Sequence, residues 1–221
     1  YVGNPTVDAV AQYKDEHKDD TPARFLEENQ LADKPIIALL AGSRRQEIKD
    51  NLPYMLDAIK SFDDYQPVIA GAPGIDPEYY RTYIGSRQCR IVFGQTYRLL
   101  QNARAALVTS GTATLETALF RIPQVVCYET PIPHIVSWYF NNMMNSPYIS
   151  LVNLIAGRTV VQELFAKYFS VEAIRIETDK ILNDNEYRNT MLNGYDEVIN
   201  VLGKPGASQK AARLMLEKLR K

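Results

Sequence analysis

Apolar positions along this chain change their period repeatedly, and each change marks an element. Ile36 to Gly42, reading IIALLAG after Lys34-Pro35, is an unbroken apolar run, the pattern of a strand buried on both faces. The period then turns helical: Ile48, Leu52, Met55, Ile59 and Phe62 recur at steps of four, three, four and three, one stripe of a helix. Ser43 and Gln46 stand at capping-box spacing ahead of that stripe. Further strands are predicted at Pro67–Ala70, Arg90–Phe93, Ala105–Val108 and Gln124–Tyr128. Helices are predicted between them at Pro77–Ile84, Tyr97–Asn102 and Thr112–Phe120. Strands alternating with helices imply parallel βαβ units, so the fold class is α/β with a doubly wound parallel sheet.

The remainder reads as mainly helical. Val160–Lys167, Val171–Leu182, Glu186–Leu202 and Ala207–Arg220 show helical spacing, and Gly203-Lys204-Pro205-Gly206 separates the last two. Tyr1-Val2-Gly3-Asn4-Pro5 reads as the end of a strand running into a turn, with no initiator methionine, the start of a chain cut from something longer. The expected division is a linker at 1–34 leading from a preceding domain, a sheet domain at 35–182, and C-terminal helices at 183–221 packing on it. The charged patch Lys14 to Asp20 reads as a solvated helix end or loop.

Composition narrows the partners. With 221 residues, 46% of them hydrophobic, the chain can bury one good-sized core. Lys plus Arg number 25 against 26 Asp plus Glu, a net charge of −1, which gives no basic excess for a nucleic-acid backbone. Cys89 and Cys127 sit in apolar stretches without metal-ligand spacing and read as buried thiols in a reducing compartment. With only two histidines beside them, a structural zinc site is not expected. No apolar run approaches the roughly 20 residues that cross a bilayer, and no signal peptide is evident.

Candidate chemistry lies at the strand-to-helix turns, because an open α/β sheet binds ligands beyond the carboxyl ends of its strands, where helix amides point. In Ala41-Gly42-Ser43-Arg44, the glycine lets backbone approach a ligand and Arg44 brings a forked cation suited to phosphate oxygens. An ordinary capped helix with a surface arginine explains the same residues. In Thr109-Ser110-Gly111-Thr112, small and hydroxylated residues at a helix start offer amides and hydroxyls to a diphosphate. Glu116, about one turn further on, suits a ribose diol, or simply complements the helix dipole. Neither turn is a P-loop or a GxGxxG. Asn153 and Glu163 are polar interruptions in apolar stretches, at a loop and a helix start, and read as caps or ligand contacts. The aromatic and methionine-rich stretch from Pro133 to Met144 reads as a helix with one side on the core. A membrane-facing role for it is weakened by scarce basic residues, and His134 is a candidate base only in passing.

LLAGSRRQEI, LVTSGTATLETAL, SLVNLIAGRTVVQEL and GKPGAS, in that order over nearly the whole chain, resemble the C-terminal half of the lipid-A-disaccharide synthases. YVGNPTVD resembles the stretch where that family's first domain ends. The resemblance implies a Rossmann-like sheet that is one half of a GT-B glycosyltransferase. It implies transfer of 2,3-diacylglucosamine from its UDP donor to a lipid X-type acceptor, 2,3-diacylglucosamine 1-phosphate, with inversion and release of UDP. It implies no metal and no cofactor, and a general base in the first domain rather than here. By carry-over, Gly42, Ser43 and Arg44 face the diphosphate, Ser110, Gly111 and Thr112 supply amides and hydroxyls to it, and Glu116 holds the ribose. Asn153 and Glu163 fall in motifs expected near the donor, although the family reads Pro-Glu-Leu where this chain has Gln162-Glu163-Leu164. Acylated substrates imply a cytoplasmic protein in peripheral contact with the inner membrane, and the family allows a homodimer. The alternatives are a UDP-sugar 2-epimerase of the same architecture, against which the scarcity of histidine counts, and a non-catalytic nucleotide-sugar-binding module.

Overall fold

The computed structural model describes residues 2–109, 111–129 and 148–219. Among the described residues, six strands form one parallel sheet: β1 (Ile36–Leu40), β2 (Gln66–Gly71), β3 (Arg90–Phe93), β4 (Ala103–Val108), β5 (Gln124–Tyr128) and β6 (Gln162–Phe165). Their order is β3-β2-β1-β4-β5-β6. The chain winds outward from β1 to β3, returns beside β1, and winds out the other way to β6. That is the doubly wound Rossmann-like order, and its reversal falls between β1 and β4.

The described helices are α1 (Pro5–Glu16), α2 (Pro22–Glu28), α3 (Arg45–Ile59), α4 (Pro77–Ile84), α5 (Thr96–Asn102), α6 (Thr112–Leu119), α7 (Leu151–Ala156), α8 (Val171–Asn183), α9 (Asn185–Leu202) and α10 (Ala207–Leu219). All five residues of β1 are buried. Because successive strand side chains point to opposite faces, this burial requires cover on both sides. The helix α3 supplies it on one face, packed with α4 and α8, and α6 packs with α1, α7 and α9. The predicted stripe of α3 is buried at Ile48, Leu52, Met55 and Ile59.

Four expectations need correction. Val160–Lys167 is not a helix: Gln162–Phe165 is the edge strand β6, paired from Val125↔Gln162 to Tyr128↔Phe165, and Ala166–Tyr168 makes one 3₁₀ turn. Val161 and Leu164 are buried as a helix would bury them, but β5 has a free edge to pair, and Asn153 holds the Val160 and Val161 amides in extended backbone. The N-cap of α3 is Arg44, not Ser43, and the residue reaching back is Glu47 rather than Gln46, whose amide instead bonds Asp50. Asn153 lies within α7, whose N-cap is Ser150, rather than in a loop. Residues 3–5 are not a strand end, because Asn4 caps α1 and accepts from the Thr6 N–H at 2.9 Å.

The expected linker contains two helices, and its Val7, Val10 and Phe25 belong to the core. Asp8 on α1 closes the start of α10, accepting from the N–H groups of Gly206 (2.7 Å), Ala207 (3.3 Å) and Ser208 (2.9 Å). These bonds hold its carboxyl at about 2, well below the usual range. Among the described residues, no helix is long and apolar enough to cross a membrane.

Candidate functional site

At the reversal of strand order, the ends of β1 and β4 lie side by side, with Leu40 opposite Val108. The Thr109 N–H donates to the Leu40 carbonyl at 2.8 Å, extending the ladder by one residue. The two turns singled out in the sequence leave the sheet from these neighbouring ends, one into α3 and one into α6. A crevice at this point is where doubly wound sheets hold ligands.

The first turn is shaped by Gly42 and Glu47. Gly42 has φ +107°, and a Cβ there would stand 2.5 Å from both Cβ and Oε2 of Glu47. Only glycine fits. Glu47 Oε2 accepts from the N–H groups of Ser43 (2.8 Å) and Arg44 (3.2 Å), so these amides are already engaged by the protein's own carboxylate. Ser43 is exposed, and the Arg44 side chain is 82% exposed with its Nη1 3.4 Å from Glu47 Oε1. Arg44 is an exposed cation whose contact with Glu47 is long.

The second turn is open where the first is closed. Gly111 is the N-cap of α6, at φ +70°, and a glycine brings no side chain to occupy the first-turn amides. Gly111 and Thr112 are exposed. Inside the helix, Thr114 Oγ1 donates to the Gly111 carbonyl (2.8 Å) and Thr117 Oγ1 to the Ala113 carbonyl (2.7 Å), which satisfies two fully buried hydroxyls. Buried Gln124 ties α6 to β5 by donating to the Thr114 carbonyl at 2.9 Å. Thr109 is 4% exposed, and its Oγ1 finds no hydrogen-bond partner among the described residues. Ser110 lies outside the described residues, as do His134 and Trp138.

Glu116 is half-buried one turn into α6, and the Tyr97 hydroxyl donates to its Oε1 at 2.7 Å. Burial first, and then the Glu116 carboxylate, push the Tyr97 phenol far above its ordinary value, so it stays a donor. One of the carboxylate's several acceptor positions is thereby used, and its direction is fixed. Nothing in the spacing of Tyr97 and Glu116 announced the pair, since they stand 19 positions apart on different helices.

Asn153 and Glu163 are brought together, but with each other. Asn153 Nδ2 donates to Glu163 Oε1 at 2.8 Å and to the Val161 carbonyl at 2.9 Å. Glu163 further accepts from the N–H groups of Ile149 and Ser150, both at 2.9 Å. The two residues latch the start of α7 onto β6. Sequence reading also missed Asn51, 1% exposed on α3, which accepts from the N–H of Glu129, the residue leaving β5, at 2.9 Å. Its signal was a lone amide on an apolar stripe. Burial and nearby Asp50 raise the Glu129 carboxyl.

Comparison with known proteins gives concordant results. A family model described as lipid-A-disaccharide synthetase matches residues 1–217. A lipid-A-disaccharide synthase of Myxococcus xanthus is 37% identical over 99% of this chain and 57% of its own length. One of Syntrophus aciditrophicus is 33% identical over 100% of this chain and 58% of its own length. The chain thus spans between half and three-fifths of these curated relatives. Among solved structures, a UDP-GlcNAc 2-epimerase from Neisseria meningitidis, bound to UDP-GlcNAc, superposes with a TM-score of 0.68 at 17% identity, covering 98% of this chain and 54% of that one. At that identity the likeness speaks for the fold alone.

Proposed function

This chain belongs to the lipid-A-disaccharide synthase family, and on that footing we propose that it forms the donor-binding half of an inverting glycosyltransferase. The whole protein would transfer 2,3-diacylglucosamine from its UDP donor to 2,3-diacylglucosamine 1-phosphate. An acceptor hydroxyl oxygen bonds to the anomeric carbon as the bond from that carbon to the diphosphate oxygen breaks. UDP leaves with the electron pair, and the hydroxyl proton passes to a base outside this chain.

One observation carries the reading: two helix-start turns, one with an exposed arginine and one with an open glycine cap, stand side by side where the strand order reverses. Negative charge grows on the diphosphate as UDP departs, and groups already oriented towards it lower that barrier most. Arg44 supplies the charge. Gly111 and Thr112 supply first-turn amides of α6, joined on sequence grounds by Ser110, and the α6 dipole favours the same anion. Gly42 and Ser43 form the wall beneath Arg44. Glu116 takes the ribose hydroxyls on the oxygen Tyr97 leaves free. Asn153 and Glu163 serve by holding the start of α7 in place rather than by touching the donor. Acylated substrates bring the whole protein to the cytoplasmic face of the inner membrane as a peripheral partner, and a homodimer belongs to the same proposal.

Calorimetry of this chain with UDP, UDP-GlcNAc and ADP tests the reading. UDP and UDP-GlcNAc should bind and ADP should bind less tightly. Absence of UDP binding at millimolar ligand would sink the donor site.

A further inference from the structure

Glu47 grips the first turn at three points. Its Oε2 accepts from the Ser43 and Arg44 N–H groups at 2.8 and 3.2 Å, and its Oε1 lies 3.4 Å from Arg44 Nη1. A Cβ at residue 42 would overlap this carboxylate, so the turn and Glu47 fit together only around glycine. On its other side the Glu47 carbonyl accepts from Asn51 Nδ2 at 2.8 Å, while Asn51 Oδ1 accepts from the Glu129 N–H at 2.9 Å. The brace runs from the exit of β1 to the exit of β5, and β4, which opens into α6, lies between those two strands.

Magnitudes decide how Glu47 acts. The guanidinium contact is long and Arg44 is 82% exposed, and exposed ion pairs of that kind contribute little. The two N–H bonds are charge-assisted, and the Glu47 side chain is only 21% exposed. The backbone is therefore what Glu47 fixes, and the backbone sets where the Arg44 side chain begins. We propose that Glu47, braced by Asn51, is a positioning residue of the donor site, presenting Arg44 to the diphosphate before the ligand arrives. This rests on the donor-site reading above. A turn backbone fixed in advance loses less freedom on binding, which is the source of the gain.

The test is UDP calorimetry on the 221-residue chain, paired with thermal unfolding. Glu47→Ala should weaken UDP roughly fivefold through the lost preordering. Glu47→Gln keeps an oxygen for both N–H groups and should restore affinity to within about twofold. In an Arg44→Ala background, Glu47→Ala should weaken UDP no further while still lowering the thermal midpoint, because nothing remains to be positioned. Glu47→Met, of similar length but with no such acceptor, replaces the alanine variant if that one does not fold. A folded Glu47→Ala chain that binds UDP like the parent overturns the inference, as does an equal loss with and without Arg44. A parent chain that binds no UDP overturns the donor site and the inference together.

Discussion

Replacing Asn153 by alanine separates a latch from a ligand contact. Asn153 is fully buried and spends its whole amide on the protein. Its Oδ1 accepts from the Val160 and Val161 N–H groups at 2.7 and 3.0 Å, and its Nδ2 donates to the Val161 carbonyl and to Glu163. Alanine strands three backbone groups and removes one bond from a nearly buried carboxylate. An orphaned buried group costs about 1–3 kcal/mol. Taking the low end for each and allowing for relaxation, the loss is roughly 3–5 kcal/mol. For a chain of this size, 1 kcal/mol moves the midpoint about 2–4 °C, so thermal unfolding followed by circular dichroism should shift down by roughly 6–20 °C. UDP affinity, measured below the transition, should change much less. A midpoint within about 2 °C of the parent, accompanied by a large loss of UDP binding, would refute the latch and return Asn153 to the donor's surface.

Three further outcomes follow from the same geometry. Arg44→Ala should weaken UDP roughly tenfold to a hundredfold, the worth of a lost charge-assisted bond, and leave uridine binding unchanged; equal losses for both ligands would remove Arg44 from the diphosphate. Asp8 titrates at about 2 in the folded chain against an ordinary 3.8, a depressed value, so its contribution is complete above about pH 4 and disappears as pH falls from there towards 2. Melts of the parent and Asp8→Asn between pH 5 and pH 2 should therefore converge as pH drops, and a constant gap would exclude the clamp on α10. Burial pushes the Cys89 thiol up to about 12 and Cys127 higher still. Mass spectrometry after iodoacetamide at pH 8 should find Cys127 alkylated only when denaturant is present, and labelling of Cys127 in the native chain would contradict its place in β5.

Much of this fold is written in local patterns, and the exceptions share a cause. Ile36–Leu40, and Val125–Cys127 within β5, announce themselves because a strand covered on both faces has few polar positions to blur its run. The α3 stripe announces itself because one face meets the core. Gln162–Phe165 does not: four residues of mixed polarity acquire strand geometry only from the free edge of β5 and from an amide on α7. The site divides the same way. Gly42 and Gly111 were visible as glycines at strand ends, since that position has few other uses. Tyr97 at Glu116, Asn51 at Glu129 and Asn153 at Glu163 are pairings of residues 19, 78 and 10 positions apart, and no local period carries them.

The two turns at the strand reversal share an outline in sequence, each a glycine followed by small or polar residues ahead of a helix. Their caps make them different anion sites. At α3 a carboxylate from within the helix already fills the place an anion would take, so that turn offers a side chain, Arg44, and not its amides. At α6 the cap is a glycine with nothing to fold back, so that turn offers amides and a dipole. A diphosphate has two phosphoryl groups to satisfy, and an exposed cation on a braced turn beside a fixed set of donors suits it better than two identical helix ends would. Held only by α6, it would keep uncompensated charge as the glycosidic bond breaks. With Arg44 alone, it would lack fixed orientation. On the donor-site reading proposed above, the asymmetry created by Glu47 at one turn and Gly111 at the other would give a departing nucleoside diphosphate one charged side chain and one fixed set of donors.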